Sequence, residues 1–239
     1  MEFSVGIAID EEVRTASGLV RLGLAAVQAT GPGNDFYHLP MLLLSQGFER
    51  LGKLVLSLRL RETAGVGHHP RGYRHDLKKI VNDVIADCFP SDYRRRPIAE
   101  DDLQFLTNDR MLWSFLDVLH TFANEARYWN LDAASNGTTR SCQRLWTLPR
   151  DALVSDDTRI RSLLMTAEGA REGYWIMNQQ VVILFERFAR ALSRLFMLGP
   201  LGDTGRSLGV PLRLFYSLTD EDLGKRDYRR EPWVPAATL

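Results

Sequence analysis

The segment from Gly67 to Leu77 carries the densest group of side chains that could do acid–base or phosphate chemistry. It holds three of the five histidines together with two arginines, at His68, His69, His75, Arg71 and Arg74. An imidazole gains and loses a proton near neutral pH, and a guanidinium presents a planar fork of donors to phosphate. We therefore predict His75 as a proton-transfer group, Arg71 as its catalytic neighbour and Arg74 as a substrate-binding residue.

Two other interpretations of this segment stay open. A metal ion would draw on His68, His69, His75 and Asp76, but adjacent histidines in a loop rarely face one ion. Alternatively, His75 or Asp76 only caps the following helix. Our prediction is that the protein holds no metal and no cofactor, and that Asp76 contributes to substrate binding.

A second pair of charged residues lies upstream, in a stretch with helical periodicity. Glu49 and Lys53 are spaced i,i+4 with the acid first, which is the favourable order for an ion pair within a helix. Such a pair is commonly just part of a solvated face. The functional interpretation requires the pair to point toward the loop that holds His75, and on that basis we include both residues in the catalytic set.

A third group lies between Glu125 and Asp132. Arg127 near a helix C-terminus has an explanation in the helix dipole, and aromatic residues such as Tyr128 and Trp129 commonly anchor cores or interfaces. The same residues could instead stack and bind nucleic acid. We keep Arg127 and Tyr128 as substrate-binding candidates.

The standard catalytic signatures are missing from the sequence. It has no G-x-x-x-x-G-K-[ST], H-E-x-x-H, G-x-S-x-G or paired C-x-x-C motif. The nearest approach runs from Gly47 to Gly52 and Lys53, but Leu54 replaces the hydroxyl that would bind a metal. That stretch also reads as an amphipathic helix, not as a phosphate-binding loop.

The elements that must position these residues are predicted to be helices. The first helix is expected from Asp10 to about Thr30, after a stretch from Phe3 to Ile9 that alternates as a strand might. The second begins near Asn34 or Asp35, and its apolar stripe is Leu44, Phe48, Leu51, Val55 and Leu58. A loop over 64–72 then leads to a third helix with the stripe Leu77, Ile80, Val81, Val84, Ile85 and Cys88.

Further helices follow at about 99–106 and after a cap at Asn108 or Asp109, beyond an arginine-bearing connection over 91–97. The chain between Asn130 and Asp157 is predicted as an irregular excursion with one short helix. The longest helix is expected from Arg159 to Leu198, and Gly199-Pro200 ends it. Beyond it, residues 199–239 are predicted to wrap the bundle as an extended arm. The expected fold is therefore an all-α helical bundle, a single domain over 1–239 with its core at about 10–198.

Composition narrows the functional classes. The 239 residues carry 30 basic and 30 acidic side chains, a balance that argues against coating nucleic acid by bulk charge. No apolar run approaches the roughly 18 residues of a membrane span, and the start of the chain lacks a signal peptide, so we expect a cytoplasmic protein without a membrane partner. With Cys88 and Cys142 as the two cysteines, at most one disulfide is possible.

The order of these motifs resembles the HEPN superfamily of small helical bundles. The resemblance rests on Glu49-x-x-x-Lys53 in "GFERLGKLVLSLR", on "GYRHDLKKI" at a helix start and on "ANEARYWNLD". It covers about Leu39 to Asp132, and it transfers Glu49, Lys53, His75 and Asp76 by position, with Arg127 as a weaker match.

The resemblance implies a homodimer and, for many members, a metal-independent endoribonuclease or antiviral toxin. Such members have an arginine and a late histidine with four to six residues between them, a spacing of five to seven positions, whereas Arg71 and His75 are one residue short of it and lie in a different element. Here His120 is the last histidine and Arg110 is too distant, so Arg71 to His75 is the nearest approximation. The expected function is an RNA- or nucleotide-directed protein of bacterial stress or antiphage defence, with a protein partner encoded nearby. The alternative is a non-catalytic helical interaction or scaffold module.

Overall fold

The computed structural model describes residues 3–65, 71–135 and 140–230. Across these ranges the chain forms helices and no strand, apart from one isolated bridge between Gly31 and Asn34. The α-helices are α1 (Phe3–Ala29), α2 (His38–Ala64), α3 (Leu77–Asp87), α4 (Ser91–Arg94), α5 (Pro97–Asn108), α6 (Arg110–Thr121), α7 (Trp129–Ala134), α8 (Cys142–Asp156), α9 (Thr158–Leu164), α10 (Ala167–Leu198), α11 (Gly202–Leu208) and α12 (Arg213–Tyr216). The all-α prediction is confirmed.

The apolar stripes predicted for α2 and α3 lie in the core. Every residue of the α2 stripe is buried, and in α3 all are buried except Ile85, which is partly exposed. α2 begins at His38 and not at Asn34 or Asp35, so Pro40 falls in its first turn, where no backbone amide is needed. Of the loop predicted over 64–72, Gly65 ends α2 in the left-handed conformation with a φ of 71°. Ala64 still belongs to α2, Arg71 and Gly72 begin a 3-10 turn, and residues 66–70 lie outside the described chain.

The caps predicted for two helices are also present. The Asp76 carboxylate accepts a hydrogen bond from the Lys79 amide at 3.0 Å at the start of α3. The Asp109 carboxylate does the same for Leu112 at 2.8 Å at the start of α6. Each bond satisfies an amide that has no partner within its own helix.

The beginning of the chain differs from prediction. Residues from Phe3 to Ile9, where strand-like alternation was noted, form the first part of α1, so this helix starts well before Asp10. Seven residues are too few to separate a period of 2 from a period of 3.6. The connection over 91–97 likewise contains a one-turn helix, α4, instead of irregular chain.

The predicted irregular excursion between Asn130 and Asp157 is wrong. Most of it is helical, in α7 and α8, and the 15-residue α8 buries Leu145 and Trp146 against the core. Pro149 lies inside α8, and a proline within a helical pattern is normally a sign that the helix ends there. Pro149 therefore makes α8 hard to recognise in the sequence, although tertiary packing stabilises the helix.

The helix predicted from Arg159 to Leu198 is two helices. The break falls at Thr166, whose side-chain oxygen caps α10 by accepting a hydrogen bond from the Gly169 amide at 3.0 Å. α9 then packs back on α10 beside Gly173. A Cβ at position 173 would lie 2.9 Å from Leu164 Cδ2, so glycine permits this close contact.

The predicted extended arm is also wrong for the described residues after Gly199. They form α11, α12 and two short 3-10 turns, and their buried side chains belong to the same apolar cluster as the rest of the core. Those side chains are Leu201, Leu208, Leu212, Phe215, Leu218 and Tyr228. Glycine and proline divide this segment into helices that are too short to show a periodic pattern in the sequence. Residues 231–239 lie outside the described chain.

α10 is the helix around which the others pack, since it contacts α1, α2, α5, α6, α8, α9, α11 and α12. It buries Phe185 and Phe188 against Phe48 of α2, with ring centroids 5.5 and 4.5 Å apart. No described helix combines the length and apolar character needed to cross a bilayer.

Candidate functional site

Glu49 is the buried acid at the centre of the polar cluster on α2. Its side chain is 9% exposed, and its Oε1 lies 2.7 Å from Lys53 Nζ. A carboxylate this deep must be paired, because an isolated buried charge is strongly disfavoured. The i,i+4 pair predicted from the sequence therefore exists, and it is less solvated than an ordinary surface pair.

His75 binds the other oxygen of the same carboxylate. Its Nδ1 lies 2.9 Å from Glu49 Oε2, although the two residues are 26 positions apart. An imidazole that donates from Nδ1 to a carboxylate keeps a lone pair on Nε2, and the carboxylate fixes the ring orientation. The histidine side chain is 45% exposed. The structure thus brings Glu49, Lys53 and His75 together, as the functional interpretation required.

The backbone of the His75 turn is held from two sides. Lys53 Nζ donates to the Arg74 carbonyl at 2.5 Å, and Asn124 Nδ2 donates to the His75 carbonyl at 3.0 Å. Arg74 has a φ of 47°, in the left-handed region that costs a residue with a Cβ energy. These bonds maintain a backbone conformation that aims the imidazole at Glu49.

Asn124 was not recognised from the sequence. It lies in a π-helical turn, Phe122–Ala126, that continues α6, and it also donates to the His120 carbonyl at 2.8 Å. Such π turns are rare and frequently occur at functional sites. Nothing in the local sequence marks a π turn.

Asp76 serves the fold at the edge of this cluster. Its Oδ1 caps α3 and also lies 3.3 Å from His120 Nδ1, which has no partner with hydrogen-bond geometry among the described residues. The capping interpretation considered for Asp76 is therefore present. His120, a second histidine beside the cluster, was noted in the sequence only as the last histidine.

A groove of about 770 Å³ between α1 and α2 opens beside the cluster. Glu49, Lys53 and His75 are among its lining residues, and Arg50 and Arg61 add further positive charge. Arg50 Nη1 is paired with Glu12 at 2.7 Å. The groove is therefore a partly apolar cleft with cations along it and an imidazole at its rim.

The remaining predicted site residues lie elsewhere or contribute differently. The Arg74 side chain is exposed, and its carbonyl, not its guanidinium, contacts the cluster. Arg71 begins a 3-10 turn, and its side chain is outside the described atoms. His68 and His69 also fall outside the described residues.

Arg127 and Tyr128 are not brought to the cluster. Arg127 lies close to His38, and the pKa of His38 is lowered by burial and then by the charge of Arg127. His38 begins α2, and eleven residues separate it from Glu49, so the two positions are roughly 16 Å apart along the helix. Tyr128 is 64% exposed at the surface next to Arg127.

The glycines of the near-miss phosphate motif have a packing role. A Cβ at Gly47 would lie 2.9 Å from the Val20 backbone nitrogen in α1, and one at Gly52 would lie 2.5 Å from Ile80 Cγ2 in α3. At both glycines a neighbouring helix packs too closely on α2 to leave room for a Cβ. They therefore place the two walls of the site and do not bind phosphate.

The described residues contain no group of three or more His, Cys, Asp or Glu side chains that could bind one metal ion. Cys88 and Cys142 are both free and buried, and burial raises the pKa of each thiol. Neither cysteine is therefore a ready nucleophile.

Comparisons of the chain with protein-family models, with curated proteins and with solved structures give no match.

Proposed function

We propose that this chain is a cytoplasmic, HEPN-like protein that acts on RNA or on a nucleotide at the Glu49–Lys53–His75 cluster. The observation that carries the proposal is the buried Glu49 carboxylate on Nδ1 of a half-exposed imidazole at the rim of a groove. A carboxylate in that position orients a histidine and stabilises the imidazolium that forms when the ring accepts a proton.

In the catalytic form of this proposal, His75 accepts a proton from a ribose 2′-hydroxyl. The 2′-oxygen then attacks the adjacent phosphorus, the bond from phosphorus to the 5′-oxygen breaks, and the 5′-oxygen takes back the proton that His75 accepted, so that a 2′,3′-cyclic phosphate and a 5′-hydroxyl form without a metal ion. Lys53 and Arg61 supply positive charge along the groove toward the phosphates, and Arg71 and Arg74 flank the turn that holds His75. Glu49 acts through His75 as a positioning residue.

The test is cleavage of transfer RNA and of mixed cellular RNA in the presence of EDTA. His75→Ala should abolish cleavage while the far-ultraviolet circular dichroism spectrum shows a folded protein, whose melting temperature falls because Glu49 Oε2 loses its partner. Lys78→Ala is the matched control, because Lys78 of α3 forms an exposed ion pair with Asp117 of α6. Unchanged cleavage by folded His75→Ala protein refutes the catalytic form.

A non-catalytic form is distinguished by binding. If wild-type protein does not cleave RNA, labelled RNA or nucleotides should still bind, and His75→Ala together with Lys53→Ala should weaken binding measured by fluorescence anisotropy. Absence of both cleavage and binding contradicts the proposal as a whole. A homodimer is part of the proposal, and light scattering on a sizing column measures it directly.

One observation favours a second function, that of an interaction or scaffold module whose partner could be encoded nearby. Lys53 and Asn124 donate hydrogen bonds to backbone carbonyls of the turn before α3. Contacts of this kind fix the position of α3 relative to α2, which is a structural role. Under this function Glu49→Ala should lower the melting temperature and leave partner binding intact, because an unpaired buried donor or acceptor costs about 1 to 3 kcal/mol.

A further inference from the structure

A second pocket, of about 860 Å³, lies between α5, α10 and the segment that follows α12. It shares no lining residue with the groove at Glu49. Three arginines of α10 line it, Arg187, Arg190 and Arg194, spaced so that they share one face of the helix. A pocket of this size accommodates a molecule as large as a nucleotide.

The ion pair between Arg190 and Asp220 is unequally buried. The arginine side chain is 7% exposed, the aspartate side chain is 79% exposed, and Arg190 Nη2 lies 2.7 Å from Asp220 Oδ1. A buried guanidinium without an anionic partner is energetically costly. The exposed carboxylate, in contrast, is well hydrated, so it loses little free energy when the ion pair breaks. Asp220 therefore occupies a position that another oxyanion could take.

The two buried guanidiniums also have more donors than nearby acceptors. Arg194 Nη1 binds Asp102 Oδ1 at 2.9 Å, and the Leu218 carbonyl accepts long bonds of 3.3 and 3.4 Å from both arginines. The Nε atoms of Arg190 and Arg194 are buried without any described partner, and the one buried acceptor of the pocket that also lacks a described partner is Asp102 Oδ2. Unpaired guanidinium donors favour the binding of a group that has several acceptor oxygens.

Arg187 is the third arginine of the pocket, which four aspartates also line. Its guanidinium lies 4.1 Å from the centroid of the Phe105 ring, and it has no ion-pair partner in the part of the chain that the structure describes. Asp101 and Asp109 also line the pocket, but Asp101 is exposed and Asp109 is engaged in capping α6. Arg187 is therefore available to an incoming anion.

We infer that this pocket binds a small molecule through an oxyanion group, phosphoryl or carboxylate, which replaces Asp220 on Arg190 and also contacts Arg187. Asp220 is then a built-in competitor that keeps Arg190 paired when the pocket is empty. The rest of the ligand would lie against Phe105 and Tyr216, both of which line the pocket.

The test is isothermal titration calorimetry at constant ionic strength with inorganic phosphate, adenosine monophosphate and succinate as probes. Asp220→Asn removes the competitor and should tighten binding about two- to fivefold, the factor that matches an exposed ion pair. Arg187→Gln should weaken binding about tenfold or more, because it removes a charge-assisted hydrogen bond. Arg171→Gln, at an exposed position near the start of α10, is the matched control and should leave affinity unchanged.

The probes distinguish the ligand class. Binding of phosphate and the nucleotide without succinate assigns a phosphoryl ligand, and the reverse assigns a carboxylate. Absence of binding by all three at millimolar concentration overturns the inference. Binding that Asp220→Asn fails to tighten, or that Arg187→Gln and Arg171→Gln weaken equally, overturns it as well. Asp220 and Arg187 are not fully buried, so both variants should remain folded.

Discussion

Asp102 is a buried acid whose environment opposes its charge. Its pKa is raised to about 6, first because burial penalises the carboxylate, although Arg194 and Arg190 act in the opposite direction. The same burial lowers the pKa of Arg194. In this pair the loss of hydration therefore outweighs the mutual attraction, as is common for buried ion pairs.

This raised pKa predicts a pH-dependent stability. The folded-state pKa exceeds the value of about 3.9 for an unfolded aspartate, so the folded protein binds the proton more tightly. The contribution is fully present below pH 4 and is lost as the pH rises through about 6. Between pH 8 and pH 5 the free energy of unfolding should therefore gain about 1 kcal/mol from this group.

Urea unfolding of wild type and Asp102→Asn at several pH values measures that gain. The wild type should become more stable relative to the variant as the pH falls, whereas Asp101→Asn, at an exposed neighbour on the same helix, should follow the wild-type profile. Parallel profiles for wild type and Asp102→Asn would show that Asp102 titrates at an ordinary pH in the folded protein.

At the scale of elements, the contact between α1 and α2 depends on a small residue. A Cβ at Gly47 would lie 2.9 Å from a backbone atom of Val20, which cannot move aside as a flexible side chain could. Gly47→Ala should lower the free energy of unfolding by about 1 to 2 kcal/mol, since overpacking outweighs the better helix propensity of alanine. Thermal or urea unfolding measures the loss.

Gly31→Ala provides the control for that substitution. No atom lies within 4 Å of a Cβ at Gly31, so its stability should remain within about 0.5 kcal/mol of wild type. Equal stability of Gly47→Ala and Gly31→Ala would mean that α1 and α2 separate at little cost.

The elements also show which features a sequence can reveal. α3 was predictable because its stripe and its Asp76 cap are local signals that tertiary packing leaves unchanged. α8 was not, because Pro149 breaks the pattern within a helix that the core maintains. Short helices such as α12 carry too few residues for any period to emerge.

The candidate site was likewise predictable only in part from the sequence. The i,i+4 spacing of Glu49 and Lys53 predicts their pairing, but no sequence pattern states which way the pair points. The partnership with His75 depends on the turn before α3 and on Asn124 in the π turn, both set by tertiary contacts. The arginines of α10 were missed because they lie among its apolar positions.

At the scale of the whole molecule, the C-terminal segment is part of the core. One cluster of buried apolar side chains extends from Val13 in α1 to Tyr228 near the end of the described chain. Ser17 of α1 also donates to the Pro211 carbonyl at 3.0 Å. The single-domain prediction stays a prediction, but the described residues after Gly199 should not be separable from the bundle.

Glu186 of α10 is one of the polar groups that hold this segment in place, together with Gln28 of α1 and Gln179 of α10. Its fully buried carboxylate accepts hydrogen bonds from the Gly224 amide at 2.6 Å and from the Tyr228 hydroxyl at 2.7 Å. Burial raises its pKa, while these two bonds act in the opposite direction. The carboxylate thus depends on the C-terminal segment for its hydrogen bonds, and the segment depends on the carboxylate for its position.

Tyr228→Phe should therefore destabilise the molecule while preserving the ring. It leaves Glu186 Oε1 buried without the hydroxyl donor, and the free energy of unfolding should fall by about 1 to 3 kcal/mol. Trypsin should then cleave faster in the segment that follows Lys225, because local unfolding of that segment costs less free energy. Tyr128→Phe, at an exposed hydroxyl, should stay within about 0.5 kcal/mol of wild type. If Tyr228→Phe unfolds and is cleaved as the wild type is, the hydrogen bond from Tyr228 to Glu186 does not anchor the segment, and apolar burial and the other polar contacts hold it.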